Sequence, residues 1–208
     1  MLRLGVLVSG SGSNLQAILD AVAAGTLAAE VALVLSNKPD AFALERARRA
    51  GVQTAVVSHR DFTTRELFDA ALVQALSAHR VDCVVLAGFM RIVTPVLLDA
   101  FQDRVINMHP ALLPAFPGAH AQADALAYGV RVSGCTVHFV DAGTDTGPII
   151  AQSVVPVVDG DTVESLSARI LAEEHALLPT VLQWVADGRV VVERSDAVGR
   201  RRVSVRPR

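Results

Sequence analysis

The sequence has few of the features that mark several common protein classes. Only two of its 208 residues are cysteines, Cys83 and Cys135. Each falls in a β-branched run, so we interpret both as buried apolar residues and expect no disulfide. The longest apolar runs are strand-length, well short of the roughly 20 residues that span a bilayer. The short N-terminal apolar stretch leads into a glycine loop rather than a cleavage site, so we predict a cytoplasmic protein with no membrane partner.

Positive charge is scarce except at one end. Residues 194–208 contain six arginines and one aspartate, a charge of +5, which leaves −7 on the rest of a chain whose net charge is −2. This segment has no aromatic residues and no folded nucleic-acid motif around it. We predict a solvated, partly mobile basic tail and no nucleic-acid partner. The remaining residues, 1–193, are apolar enough for one well-buried domain.

The first half of the chain alternates between strand-like and helical patterns. Strand-length apolar runs fall at 2–8, 31–36, 52–57, 81–87 and 104–109, with helical patterns at 14–25, 41–50 and 64–79. This repetition predicts a parallel sheet with right-handed crossovers. The nearly all-apolar strands indicate helices on both faces. We therefore predict an open, mostly parallel, Rossmann-like α/β fold.

After residue 130 the pattern changes. Two longer strands, 133–140 and 147–157, flank the polar loop DAGTDT and predict an antiparallel hairpin or an extension of the sheet. A long helix follows, opening at Asp161 with Glu164 as a capping box and ending near Asp187. We expect Pro179 to kink or split it.

A glycine loop, GSGSN at residues 10–14, connects the first strand to the first helix. Gly10 and Gly12 would let the backbone approach a ligand, and Ser13 or Asn14 would cap the helix, with Gln16 completing a box. The N–H groups at such a helix start can bind an anion.

The kind of anion follows from what the loop lacks. It has no P-loop lysine, and Leu15 replaces the last glycine of a dinucleotide fingerprint. Lys38 lies near the position where an NAD enzyme has a ribose-binding acid. We expect a plain phosphate, with a tight turn and no ligand as the alternative.

A polar pair ends the fifth strand. Asn107 and His109 are two residues apart and should face the same way. Asp145, in a glycine-flanked loop, could fold toward His109 and raise its pKa from about 6.5. Asn107 could donate to a developing oxyanion, so the pattern suggests acyl-type transfer. Ordinary strand capping is the alternative, and no histidine or cysteine spacing indicates a metal site.

Taken together, the motifs resemble a known family. SGSGSNLQA, SNK, LAGFMRI, NMHPALLPAFPG, GCTVHFVDAGTDTGPII and AEEHALLP occur in that order within about residues 3 to 192. They are similar to the glycinamide ribonucleotide formyltransferases, folate-dependent enzymes of purine synthesis. The resemblance implies that His109 shuttles protons, Asp145 orients it and Asn107 steadies the oxyanion.

The resemblance also implies the binding residues. They are Gly12, Ser13, Asn14 and Glu174 for the ribonucleotide, and Arg65, Met90, Arg91, Ile92 and Val93 for the folate. It suggests a phosphate-binding half, about 1–100, and a folate and catalytic half, about 101–193. 10-Formyltetrahydrofolate would be a co-substrate, with no tightly bound cofactor. Oligomeric state stays open, with a homodimer as one alternative.

The sequence departs from the family pattern in places, and alternatives follow. Ala111 replaces a commoner serine, with little expected effect, and Gln122 replaces a histidine found in some members. Formyltetrahydrofolate hydrolase and methionyl-tRNA formyltransferase share the catalytic trio, but we do not expect either to keep the GSGSN loop. A non-catalytic nucleotide-binding module would need the loop but not the trio.

Overall fold

The computed structural model describes residues 1–194 and 201–207. The chain forms two compact units, Met1–Asn107 and Met108–Arg208. Within the described residues no helix has both the length and the apolar character required to cross a membrane.

The first unit is a parallel sheet with connecting helices. Its strands are β1 (Leu2–Val8), β2 (Ala29–Ser36), β3 (Thr54–Val56), β4 (Cys83–Leu86) and the start of β5 (Val105–His109). Its helices are α1 (Ser13–Ala23), α2 (Phe42–Arg49), α3 (Arg65–Ala78) and α4 (Pro95–Ala100), with a short 3₁₀ turn at His59–Asp61. β1 pairs in parallel with β2 and β4, β2 with β3, and β4 with β5.

Burial in this unit follows the apolar pattern of the sequence. Leu4 and Val6–Val8 of β1 have no solvent exposure, as a strand covered on both faces requires. A Cβ at Gly5 would lie 2.4 Å from a Leu76 methyl, so α3 packs directly on the strand backbone there. Three residues of the predicted stripe on α1 are buried: Leu15, Ile18 and Leu19. The short helix α4 was not predicted, because six residues show too little periodicity.

The second unit contains an antiparallel pair of strands and a long helix. Its elements are α5 (Ala121–Tyr128), β6 (Val132–Phe139), β7 (Ile149–Pro156), α6 (Val163–Ala186), β8 (Val190–Arg194) and β9 (Arg201–Val205). β6 and β7 are antiparallel. The seven-stranded sheet has the order β3-β2-β1-β4-β5-β6-β7. The predicted α/β class, with its antiparallel extension and long helix, is confirmed.

Details of α6 differ from the prediction. Its N-cap is Thr162, whose hydroxyl accepts from the Ser165 N–H at 3.2 Å while the Ser165 hydroxyl accepts from the Thr162 N–H at 3.0 Å. The predicted box at Asp161 and Glu164 is therefore one residue out of register. Pro179 lies inside a continuous helix, so the predicted split is wrong.

The C-terminal segment contains a strand that the sequence did not predict. β9 pairs antiparallel with β8, from Val190 opposite Val205 to Arg194 opposite Arg201. Part of the expected tail therefore extends a two-stranded sheet. Residues 195–200 and 208 of that tail lie outside the described residues, and its mobility stays a prediction.

Candidate active site

His109 ends β5 and is held between two acceptors. Its side chain is only 4% exposed. Nε2 lies 2.8 Å from the Phe116 carbonyl, which can only accept, so this nitrogen carries a proton. Nδ1 lies 3.4 Å from Oδ2 of Asp145. An imidazolium at this position would therefore find an acceptor at each nitrogen.

The predicted rise in the pKa of His109 is wrong. Burial is the largest influence and lowers the pKa below its usual 6.5, against the opposing effects of the Phe116 carbonyl and the Asp145 carboxylate. Desolvation disfavours the charged ring more than one carboxylate at 3.4 Å favours it. His109 is thus a neutral imidazole near pH 7 that can take up a proton and keep two acceptors.

Asp145 lies in the loop between β6 and β7 with a left-handed φ of 54°. Its Oδ2 accepts from the Gly118 N–H at 2.8 Å, and its Oδ1 is 3.7 Å from Nε2 of His138. Burial would raise the pKa of this carboxyl, but His138, the Gly118 N–H and His109 together lower it below its ordinary value. Asp145 is therefore a carboxylate at neutral pH.

His138 is a member of this cluster that the sequence did not predict. It lies on β6, is 1% exposed, and its Nδ1 is 2.9 Å from the Phe139 carbonyl. A histidine within the apolar run GCTVHFV was a usable signal, because a buried imidazole requires polar partners. The histidines were weighed only as metal ligands, so His138 was not predicted as a site residue. Among the described residues, no group of three or more histidine, cysteine or acidic side chains could hold a metal ion.

The loop after β5 supplies the Phe116 carbonyl and the Gly118 N–H, and side chains of β6 and β7 hold this loop in place. Thr136, fully buried on β6, donates its hydroxyl to the Ala111 carbonyl at 2.6 Å and accepts from the Leu113 N–H at 3.0 Å. Gln152 on β7 donates to the Leu113 carbonyl at 2.9 Å. Two strands thus fix the loop that holds both His109 and Asp145.

The glycine loop lies in the first unit and turns its carbonyls inward. The carbonyl of Gly10 accepts from the Ala43 N–H at 3.1 Å, and that of Ser11 accepts from Nε of Arg46 at 2.8 Å. The carbonyl of Gly12 accepts from the Gln16 N–H at 2.9 Å. In a trans peptide the N–H points opposite to the C=O, so the N–H groups of residues 11–13 point the other way.

The predicted cap of α1 is wrong. Gly12 itself is the N-cap, with φ 72°, and no side chain caps the helix. Gln16 instead accepts from Nη1 of Arg46 and donates to Asp20. Gly12 is required because a Cβ there would lie 2.5 Å from the Ala43 Cβ. The outward N–H groups and the helix start make the loop suited to an anion. The Arg46 guanidinium holds the opposite side of the loop through the Ser11 carbonyl.

The other predicted site residues belong to both units. Asn107 is half-buried and closes the first unit, paired with Leu86 of β4. Met90 and Ile92 are 66% and 59% exposed. The rest are placed as follows: Arg91 is half-buried, Val93 is buried, Arg65 is exposed at the start of α3, and Glu174 is buried on α6. Of all these residues, the second unit brings together His109 and Asp145.

A cavity of about 640 Å³ adjoins Asp145. Its lining includes Pro114 and Pro117 of the loop after β5, and Arg201 and Arg202 of β9. The volume lies in the range of small-molecule sites. A larger cavity of about 740 Å³ in the first unit has a mainly apolar lining between Met1 and Gln53 and contains none of the predicted site residues. We favour the cavity beside Asp145, since chemistry requires titratable groups.

The fold is α/β, and the His109–Asp145 cluster has the geometry that proton transfer requires. The chain belongs to the formyl transferase family, whose model matches residues 2–182. It is 50% identical over 200 residues to phosphoribosylglycinamide formyltransferase of Mycobacterium tuberculosis, covering 96% of this chain and 92% of the relative. A crystal structure of glycinamide ribonucleotide transformylase 1 from Symbiobacterium toebii superposes with a TM-score of 0.95 at 54% identity, covering 100% of this chain and 95% of that one.

Larger relatives contain a similar segment. The chain is 50% identical over 190 residues to the trifunctional purine biosynthetic protein adenosine-3 of Chironomus tentans. The match covers 90% of this chain but only 14% of that relative. The chain thus spans 14% of the length of the Chironomus tentans protein and 19% of the length of the trifunctional purine biosynthetic protein adenosine-3 of Homo sapiens.

Proposed function

We propose that this protein transfers the formyl group of 10-formyltetrahydrofolate to the amine of N1-(5-phosphoribosyl)glycinamide. The products are formylglycinamide ribonucleotide and tetrahydrofolate, as a step of purine biosynthesis. The observation that carries the proposal is the buried His109 imidazole between the Phe116 carbonyl and the Asp145 carboxylate. The two named relatives are matched over 92% and 95% of their lengths, and their names support formyl transfer to this ribonucleotide.

The reaction needs one proton carrier and one oxyanion donor. The substrate amine attacks the formyl carbon, forming a C–N bond and a tetrahedral intermediate with an oxyanion. Neutral His109 takes the proton that the amine loses, and the imidazolium is stabilised by its two acceptors. Collapse breaks the bond between the formyl carbon and N10 of the folate, and His109 returns the proton to N10. The Asn107 amide donates to the oxyanion.

Binding is assigned to the remaining predicted residues. The backbone N–H groups of Gly12, Ser13 and Asn14 hold the ribonucleotide phosphate, and Glu174 contacts the glycinamide amine. Arg65 and the segment Met90–Val93 bind the folate. We assign no tightly bound cofactor, because folate is consumed at each turnover, and we place the enzyme in the cytoplasm. Its partners are these two small molecules, with no nucleic acid or membrane.

The test is a spectrophotometric assay of the purified protein with 10-formyltetrahydrofolate or its dideaza analogue. Deformylated folate is followed with and without the ribonucleotide. Turnover that requires the ribonucleotide is the expected result. Turnover without an acceptor would identify a hydrolase instead. A folded sample that binds the ribonucleotide but releases no deformylated folate would support the non-catalytic module and overturn the proposal.

A further inference from the structure

Ser9 connects the glycine loop to the segment that contains Met90. It follows β1 directly and is 4% exposed. Its N–H donates to the Gly88 carbonyl at 3.1 Å, and its hydroxyl accepts from the Met90 N–H at 2.8 Å. The same hydroxyl donates to Oδ1 of Asn37 at 2.6 Å, and Asn37 is itself 3% exposed. The hydroxyl is therefore oriented by Asn37, with its oxygen directed at the Met90 N–H.

A second buried group holds the other end of this segment. Asp69 on α3 is 1% exposed, and its Oδ2 accepts from the Thr94 N–H at 2.5 Å. Burial raises the pKa of this carboxyl, against the lowering effect of its hydrogen bonds with Thr94. Burying a carboxylate is costly unless its hydrogen bonds compensate. The bond to the Thr94 backbone is thus a specific interaction rather than a chance contact.

Between the two anchors the segment presents apolar side chains to solvent. Met90 and Ile92 are 66% and 59% exposed, whereas Phe89 and Val93 are 7% exposed each. Phe89 also stacks on Phe68, with ring centroids 6.4 Å apart. The segment is therefore fixed at its ends and by the buried side chains of Phe89 and Val93, while Met90 and Ile92 stay open to solvent. Such a surface is preorganised, so a ligand that binds it need not order the backbone.

We propose that Ser9 and Asp69 are positioning residues for the folate donor, because they hold the two ends of the 88–94 segment. This inference rests on the proposed function, which assigns Met90–Val93 to folate binding. We assign neither Ser9 nor Asp69 a contact with the reacting atoms. Loss of either anchor should let the segment move, and this should weaken binding of the folate more than it slows the chemical step.

The experiment measures kcat and both KM values for Ser9→Ala and Asp69→Ala. Each variant leaves a backbone N–H of the segment without its acceptor, and losing one such hydrogen bond changes the equilibrium constant that holds the segment in place by about tenfold. We expect the KM for the folate to rise about tenfold. The kcat and the KM for the ribonucleotide should stay within about threefold of wild type, less than the loss of one hydrogen bond. Ser9→Thr and Asp69→Asn keep an accepting oxygen and should restore the folate KM.

A matched control separates positioning from stability. Ser133 on β6 is 2% exposed, and within the described part of the chain its hydroxyl has no hydrogen-bond partner. Ser133→Ala also removes a buried hydroxyl and should leave both KM values unchanged. Should Ser9→Ala fail to fold, Asn37→Ala tests the same anchor, because it removes the oxygen that orients the Ser9 hydroxyl, together with the contact of the Asn37 amide with Nδ1 of His59 at 3.3 Å. Thermal unfolding of each variant checks its folded state.

Two results would overturn the inference in an active enzyme. One is an unchanged folate KM in folded Ser9→Ala and Asp69→Ala, and the other is an equal rise of both KM values. If the wild type has no transferase activity, the proposed function fails first. Fluorescence titration with the dideaza folate analogue then decides the inference alone. Weaker binding to the two alanine variants than to wild type supports the two anchors, and equal binding overturns them.

Discussion

The glycine loop of the first unit presents backbone groups, whereas the acidic loop of the second unit presents side chains. In the glycine loop, residues 10–14, inward carbonyls leave backbone N–H groups directed outward. In the acidic loop, residues 141–147, the interactions are made by side chains. The Asp145 carboxylate lies near the imidazoles of His109 and His138. The Asp141 carboxylate accepts from the Gly143 N–H and the Thr146 hydroxyl. The first loop should therefore be sensitive to changes of backbone conformation, and the second to changes of polar side chains.

The largest effect is expected at His109, whose Nδ1 lies 3.4 Å from Oδ2 of Asp145 in the acidic loop. His109→Ala removes the proton carrier and should lower kcat by at least about 10²-fold, the usual contribution of general acid–base catalysis. Thermal unfolding and circular dichroism should show a folded protein, because a cavity replaces a ring without leaving a new charge. A loss of less than about tenfold in a folded variant would rule out His109 as the proton carrier.

Gly12→Ala tests the backbone side of the comparison. Alanine would be strained at φ 72°, and its Cβ would lie 2.5 Å from that of Ala43. We expect a loss of about 1–3 kcal/mol in the free energy of unfolding and at least about a tenfold rise in the KM for the ribonucleotide. Gly10→Ala is the matched control for stability, because a Cβ there meets no described atom within 4 Å. Similar losses of stability in both variants would contradict the packing argument.

The pH dependence separates the two loops further, since only the acidic loop contacts a titrating histidine. The pKa of His109 is lowered from 6.5, and that of Asp145 is lowered from 3.8. The acid limb of kcat/KM, which reports the pKa values of the free enzyme, should thus be centred below pH 6.5, and a pH–rate profile measures it. A limb centred above 6.5 would show that the Asp145 carboxylate outweighs burial.

The same shifts make a prediction for stability. A lowered pKa in the folded state means that the unfolded chain binds more protons. The stability contributed by His109 is complete above pH 6.5 and is lost as the pH falls through its folded pKa. That of Asp145 is complete above 3.8 and is lost in the same way at lower pH. Denaturant unfolding at several pH values should show this decline, and Asp145→Asn should reduce it at the acidic end.

More of the fold than of the electrostatics of the site could be predicted from the sequence. The strands of the first unit follow from continuous apolar runs, because burial on both faces leaves one pattern. The catalytic trio was proposed from its motifs and its role stays a prediction, whereas the predicted direction of the His109 pKa shift is wrong. That shift depends on how deeply the ring is buried, which is a property of the packed chain. His138 and Arg46 were not predicted as site residues, because each acts through a contact that folding creates: Nε2 of His138 lies 3.7 Å from Oδ1 of Asp145, and Nε of Arg46 donates to the Ser11 carbonyl.

The smallest predicted effect tests whether side chains alone maintain the acidic loop. Thr146 follows Asp145 directly in the sequence, and its hydroxyl donates to Oδ1 of Asp141 at 2.6 Å. Thr146→Val keeps the shape but removes the donor, so kcat should fall about two- to fivefold, the equivalent of one weak hydrogen bond. Thr146→Ser keeps the donor and should match the wild type. Equal kcat values for Val and Ser would mean that the Gly143 N–H, 3.0 Å from the same oxygen, is enough to hold the loop. The backbone would then fix both loops, and the contrast between them would be limited to the groups that contact the substrates.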